Sequence, residues 1–192
     1  MHNHHFKNNN LPVSVKVKEY PFDGDHASHG LASSITERLV DIRDKHLRSI
    51  FSSYEGVDHR LEYVACIRDV LFIDDAAACT PLSTWYSIER MNRPITWLTM
   101  LKNVDTLTDD LLDAINQKVN KIVLQGIYQA EVIDMLSFLG KEMSMALQME
   151  DAVRAAFYAS VPGDVVLFSP GEVGSSHFRT IGKQYRHGIS QL

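Results

Sequence analysis

The chain has 192 residues, of which 45% are hydrophobic and 22% charged, and its formal net charge is −5 at pH 7. These values are typical of a globular protein with one domain, or one domain and an extra arm. The acidic balance disfavours general nucleic-acid binding, which needs a basic face. The interrupted apolar run 161–168 is far shorter than the roughly 20 residues that cross a bilayer. We therefore expect neither nucleic-acid nor membrane partners.

The N-terminal quarter of the chain is predicted to lie outside the main domain. Residues 1–10 are rich in His and Asn and lack the apolar segment of a signal peptide, so we expect a disordered lead-in. Residues 11–56 are predicted to form an arm. Alternating valines indicate an edge strand over 11–22, and helical spacing of apolar residues indicates helices over about 28–45 and 45–53.

The main domain is predicted over residues 57–192. It begins with a hairpin at 60–73, turning at Arg68 and Asp69. Strands are then predicted at 95–99, 121–125, 143–147 and 164–168, and helices at about 80–92, 107–119, 128–139, 149–160 and 177–190. Such alternation indicates right-handed βαβ crossovers. The predicted fold class is therefore α/β: a Rossmann-like, mostly parallel sheet with helices on both faces, preceded by the β-hairpin and the helical arm.

The two cysteines, Cys66 and Cys79, both stand among apolar residues. Their spacing fits neither a zinc ribbon nor a disulfide framework. We expect buried, reduced thiols and a cytoplasmic location.

Ligands of parallel α/β sheets bind outside the carboxyl ends of the strands. The candidate positions are therefore 74–75, 99–103, 125–126 and 169–176. Asp74 and Asp75 could hold Mg²⁺ or a ribose hydroxyl, but a solvated pair that caps the next helix is the favoured interpretation.

Two further segments allow a functional and a structural interpretation. The loop 169–176 could cradle an anion through its backbone amides, and a strand-to-helix turn that needs glycine explains it equally well. His26 and His29 could form a metal site with Asp23 and Asp25, but helix capping by Asp25 is favoured. No metal site is predicted.

Three segments, 57–64, 74–91 and 161–171, resemble in order and spacing the C-terminal domain of Mur ligases, closest to the type that adds D-glutamate. The resemblance covers about 22–192. It implies a three-domain ancestor with a UDP-sugar domain, a P-loop ATPase domain and a Rossmann-like domain that binds the incoming amino acid. In that family a carboxylate is activated as an acyl phosphate, with ATP and Mg²⁺ as cofactors. The residues themselves establish no cofactor.

The resemblance implies that the nucleotide-facing positions are partly kept. His26, Arg60 and Asp75 match the family, but Ala27 and Gly30 replace two asparagines of the motif that contains His26. The amino-acid pocket does not match. Its five positions, implied by the family's strand-end motifs, are Ala77, Cys79, Val104, Ser169 and Gly174.

The differences at this pocket all remove a positively charged group or a hydroxyl group. Ala77 and Val104 stand where the family has lysines, Cys79 replaces a threonine, and Gly174 replaces a serine. Lys102 stands two residues before Val104, the position of the family's second lysine, and Glu172 adds a negative charge. An acidic amino acid needs charge-assisted partners to leave water, so its binding should be weakened.

The favoured hypothesis is a stand-alone, non-catalytic binding or interaction module related to peptidoglycan synthesis in bacteria. The alternative is a ligase component that joins an amino acid to a UDP-MurNAc-peptide precursor. That alternative needs an ATPase domain in trans, because the 192 residues contain no P-loop lysine. The expected partners are accordingly a second copy, in a homodimer, or a separate Mur ligase ATPase domain.

Overall fold

The computed structural model describes residues 58–174 and 176–192. The predicted lead-in 1–10, the predicted arm 11–56 and His26 lie outside the described residues. The domain boundary at 57 therefore stays a prediction.

The described chain begins with an antiparallel hairpin of β1 (Glu62–Ile67) and β2 (Val70–Asp74). Its two-residue turn consists of Arg68 and Asp69, with positive φ angles of 51° and 62°. Two successive positive φ angles are the mark of the turn whose twist matches that of the flanking strands. The predicted hairpin and its turning point are confirmed.

Strands and helices then alternate to the end of the chain. They are α1 (Pro81–Arg90), β3 (Ile95–Thr99), a 3₁₀ turn (Val104–Thr106), α2 (Asp109–Lys118), β4 (Val119–Gln125), α3 (Ala130–Ser137), β5 (Glu142–Ala146), α4 (Met149–Ala159), β6 (Val165–Phe168) and α5 (Phe178–Ser190). Each predicted element of the domain is confirmed within a few residues. Among the helices of 58–174 and 176–192, none has the length and apolar content needed to cross a membrane.

The six strands form one sheet in the order β1-β2-β6-β3-β4-β5. β1 and β2 are antiparallel, and the remaining neighbours are parallel. The last strand, β6, lies between β2 and β3 and pairs Phe168 with Asp74 on one side and with Leu98 on the other. The loops that leave β2, β6 and β3 therefore meet at one edge of the sheet.

Helices cover the sheet on both faces, as predicted. One core joins α1, α2 and α3 to the sheet around the fully buried Trp97. The other joins α4 and α5 to the opposite face, where Phe72, Phe168 and Tyr185 are fully buried. The central strands are buried on both faces: every residue of β3 is buried, including two threonines, and β6 is both buried and apolar throughout.

The expectation for the cysteines is only partly right. Both are free thiols, but Cys66 is exposed on the edge strand β1, and Cys79 is half-buried. The prediction that both are buried is wrong, because side chains on an edge strand alternate between the core and solvent.

Candidate functional site

A cavity of about 640 Å³ lies at the sheet edge where the loops after β2, β3 and β6 meet the start of α5. Its lining is Cys79, Met100, Lys102, Glu172, Val173, Gly174, His177 and Ile181. This is the position at which parallel α/β sheets bind ligands. Most of the lining side chains are apolar or carry sulfur, and the charged ones are Lys102 and Glu172.

Glu172 is fixed in place by backbone amides. Its Oε2 accepts hydrogen bonds from the amides of Lys102, at 3.1 Å, and Asn103, at 3.0 Å. These amides directly precede the 3₁₀ turn, where unsatisfied N–H groups favour an anion. The carboxylate therefore ties the loop after β6 to the loop after β3, and it places a negative charge on the cavity wall.

The structure brings together two of the five residues that the resemblance assigns to the amino-acid pocket. Cys79 and Gly174 line the cavity. Ala77 instead lies in the turn after β2 and donates its amide to the His59 carbonyl, and Val104 packs against the α1–α3 core. Ser169 is fully buried and bonds the Thr84 hydroxyl at 2.9 Å.

The loop after β6 contains a glycine that the fold requires. Gly171 has a φ of +75°, and a Cβ at this position would lie 2.7 Å from Leu101 Cδ2. Its amide donates to the Ala78 carbonyl at 3.0 Å, so this N–H is used within the protein. These contacts support the structural interpretation of the loop: a turn that needs glycine.

Asp75 forms a buried ion pair with Arg60. The distance from Arg60 Nη1 to Asp75 Oδ1 is 2.6 Å, and the same oxygen accepts the Leu61 amide at 3.1 Å. Asp75 Oδ2 is buried and makes no hydrogen bond with any residue of 58–174 or 176–192. Burial raises the pKa of Asp75 to about 6, and the Arg60 charge opposes this only in part.

Asp74 belongs to a second buried charge network, which joins the hairpin to α5. Asp74 Oδ2 lies 2.6 Å from His59 Nδ1 and 2.7 Å from Arg186 Nε. A second guanidinium nitrogen of Arg186 bonds Glu62. Burial opposes the charge of Arg186, but Asp74 and Glu62 outweigh it and raise its pKa.

The prediction that Asp74 and Asp75 form a solvated, helix-capping pair is therefore wrong. Both carboxylates are fully buried. The cap of α1 is Thr80, whose side chain accepts the Ser83 amide while the Ser83 hydroxyl accepts the Thr80 amide. Asp75 instead pairs with Arg60, and Asp74 pairs with Arg186. The sequence does not indicate the pair of Asp74 and Arg186, because these residues stand 112 positions apart.

Three potential metal ligands, His59, Glu62 and Asp74, lie within 4.8 Å of one another. The guanidinium of Arg186 contacts both carboxylates. One guanidinium therefore already bonds both carboxylates of this cluster, and the arrangement is that of an ion-pair network.

Cys79 is not activated as a nucleophile. Burial raises the pKa of its thiol, the Asp75 charge raises it further, and Arg60 opposes both. The reactive form of cysteine is the thiolate, which this environment disfavours.

A second cavity, of about 490 Å³, opens between the end of β4 and the start of α4. Its lining is polar and consists of Gln125, Gln148, Met149, Glu150, Lys183, Gln184 and His187. Glu150 Oε1 lies 3.6 Å from His187 Nε2 across this space. None of these residues belongs to the positions implied by the family resemblance.

Comparison with known proteins gives ligases as relatives. The chain is 30% identical over 188 residues to a UDP-N-acetylmuramoylalanine–D-glutamate ligase from Christiangramia forsetii, covering 96% of this chain and 42% of the relative. It is 33% identical over 142 residues to the enzyme of the same name from Salinibacter ruber, covering 74% and 31%. A murein peptide ligase structure from Psychrobacter arcticus aligns with a TM-score of 0.49 at 14% identity, covering 70% and 30%. No protein-family model matches the chain.

The chain is thus a homologue of the Mur ligases and resembles their C-terminal domain. It spans less than half the length of the curated relatives that it matches.

Proposed function

We propose that the chain is a cytoplasmic, non-catalytic binding module that derives from the C-terminal domain of a bacterial peptidoglycan ligase and has lost recognition of an acidic amino acid. The observation that carries this proposal is the lining of the 640 Å³ cavity. Fold alone does not determine function, so the side chains at the site must decide.

D-Glutamate carries two carboxylates, and each loses its hydration on entering a protein pocket. Among the residues of 58–174 and 176–192 that line the cavity, Lys102 is the single Lys or Arg, and it is exposed to solvent. Glu172 holds a negative charge on the same wall through its two backbone hydrogen bonds. A dicarboxylate would therefore meet one screened cation and one like charge.

The expected loss of D-glutamate binding free energy follows from the charged hydrogen-bond partners that the chain lacks. Hydrogen bonds to charged groups contribute roughly 1.5–3 kcal/mol each. The resemblance implies that the family's two substrate lysines stand at the positions of Ala77 and Val104. Their absence weakens binding by about 3–6 kcal/mol, or roughly two to four powers of ten. We expect D-glutamate to bind no more tightly than the millimolar range.

Calorimetric titration of the full chain with D-glutamate and with ATP, each alone, tests the proposal. Glu172→Gln should strengthen D-glutamate binding several-fold, because it removes the like charge while it keeps an oxygen that can accept from the amides. Glu150→Gln is the matched control, since it makes the same change beside the second cavity. Sub-millimolar binding of D-glutamate to the unmodified chain would overturn the proposal.

The alternative function is a ligase component that acts with a separate ATPase domain. The ion pair of Arg60 and Asp75 favours it, because the resemblance places both residues near the nucleotide. Its test is ADP release when the chain is mixed with a Mur ligase ATPase domain, ATP and a UDP-MurNAc substrate. ADP release that depends on both the chain and an amino acid would establish this alternative.

A further inference from the structure

β5 is an edge strand whose hydrogen-bonding groups face outward on one side. Within the described residues it pairs with β4 alone, in an unbroken register from Lys121–Glu142 to Gln125–Ala146. Such an edge is a template for another strand, and proteins usually block it with bulges, prolines or charges. β5 contains no proline and no bulge, and its one charged residue is Glu142.

The opposite edge of the same sheet is protected. β1 carries a bulge between Tyr63 and Ala65, which interrupts its register. Its Glu62 is held by Arg186. The two edges of one sheet therefore differ in the feature that prevents strand addition.

Exposed apolar side chains are concentrated in the segment that runs from the end of β4 through β5. Half of the large hydrophobic residues exposed in the described part of the chain lie between 127 and 147. They are Ile127, Met135, Phe138, Met145 and Leu147. Phe138, at the end of α3, is 88% exposed, and Leu147 is 68% exposed. Clustered apolar exposure of this kind marks protein contact surfaces.

We infer that β5 pairs antiparallel with β5 of a second copy of this chain, so that the two sheets continue into one. A twofold axis at Ser144 places Ser144 opposite itself, Met143 opposite Met145 and Glu142 opposite Ala146. This register pairs all five residues of the strand. The interface is isologous, as in most dimers.

The chemistry of β5 fits its own copy. Met143 packs toward the α1–α3 core, and alternation places Met145 on the same face. The cross-strand pairs on that face are therefore methionine on methionine. One residue beyond, Lys141 lies opposite Leu147, whose apolar surface its alkyl chain can cover. Neither charged residue faces a like charge, which would destabilise the pairing.

Cysteine cross-linking tests the register directly. In a Cys66→Ala background, which removes the exposed native thiol, Ser144→Cys places two thiols at facing positions. Facing residues of antiparallel strands have the Cα separation that a disulfide requires. Mild oxidation should convert most of the full-length chain to a covalent dimer. Glu142→Cys is the control: the two copies of residue 142 are about four residues apart along the strands, roughly 13 Å, and should not cross-link.

Sedimentation of the full chain at micromolar concentrations supplies the second measurement. The unmodified chain should be a dimer, and Met145→Lys should raise its dissociation constant at least about tenfold, because a lysine blocks a sheet edge. Tyr63→Lys, on the opposite edge, should leave the constant unchanged. A monomeric unmodified chain, or equal cross-linking at positions 142 and 144, would overturn the inference. A monomer whose β5 amides resist hydrogen exchange would assign the edge to another segment of the same chain. Glutamate binding does not enter either measurement, so this inference and the proposed function fail separately.

Discussion

Gly182 offers a sharp test of how α5 packs on the hairpin. It lies inside α5 and is buried, and a Cβ at this position would lie 2.2 Å from His59 Nδ1 and 2.7 Å from Cε1. His59 is 6% exposed, and the bond of its Nδ1 to Asp74, at 2.6 Å, holds the ring in place. The ring can therefore yield only by breaking that bond.

Two opposing effects decide whether Gly182→Ala raises or lowers the free energy of unfolding. In a helix interior, alanine is favoured over glycine by about 1 kcal/mol. Overpacking costs about 1–3 kcal/mol, and loss of a buried hydrogen-bond partner costs about 1–3 kcal/mol more. The expected net loss in the free energy of unfolding is about 1–5 kcal/mol. The corresponding fall in Tm is roughly 2–20 °C for a chain of this size.

Urea unfolding of a double-mutant cycle measures this effect. In a His59→Ala background the added methyl group meets no ring, so Gly182→Ala should be neutral or stabilising there. Gln184→Ala, at an exposed position of α5, controls for general changes in helix stability. If Gly182→Ala changes stability equally with and without the His59 ring, the packing argument is refuted.

Three further predictions concern the ends and charges of the same elements. Thr80→Ala removes the cap of α1 and should lower the unfolding free energy by about 1 kcal/mol in urea titration. The folded pKa of Asp75, about 6, lies above its ordinary 3.8, so its contribution to stability should fall by about 3 kcal/mol as pH rises from 4 to 6. Asp75→Asn should remove that part of the stability–pH profile, and an unchanged profile would contradict the assignment. Arg186→Met leaves the Asp74 carboxylate without its guanidinium and should cost about 3 kcal/mol, whereas Arg179→Met, at a solvent-exposed ion pair, should cost less than about 1 kcal/mol.

The sequence predicts the elements of this domain well because local signals agree with the fold. The alternation of apolar runs fixes β3 and β6, and the polar pair Arg68–Asp69 fixes the hairpin turn. The order of the strands is not a local property. That β6 lies between β2 and β3 follows from packing of the whole sheet, and the sequence pattern contains no signal for it.

The candidate site is harder to predict for the same reason. The expected edge of the sheet does hold a cavity, and Cys79 and Gly174 do line it. The burial of Asp74 was missed, because it depends on Arg186, which approaches only when α5 docks. Carboxylates that look solvated in sequence can be buried when distant cations pair with them.

Two residues that match the ligase family, Arg60 and Asp75, are more deeply buried than Cys79 and Gly174, which differ from it. Arg60 and Asp75 pair at 2.6 Å with side chains that are 8% and 0% exposed. Removing either partner leaves a buried charge unpaired, which costs about 3–5 kcal/mol. Stability alone is therefore sufficient to retain them.

Cavity-lining residues carry no comparable constraint. Cys79 is half-buried and Gly174 is exposed, so changes there alter a binding surface while the core stays packed. Of the positions that differ from the family, Cys79 and Gly174 line the cavity, whereas Ala77 and Val104 lie outside its lining. The buried ion pair of Arg60 and Asp75 is retained.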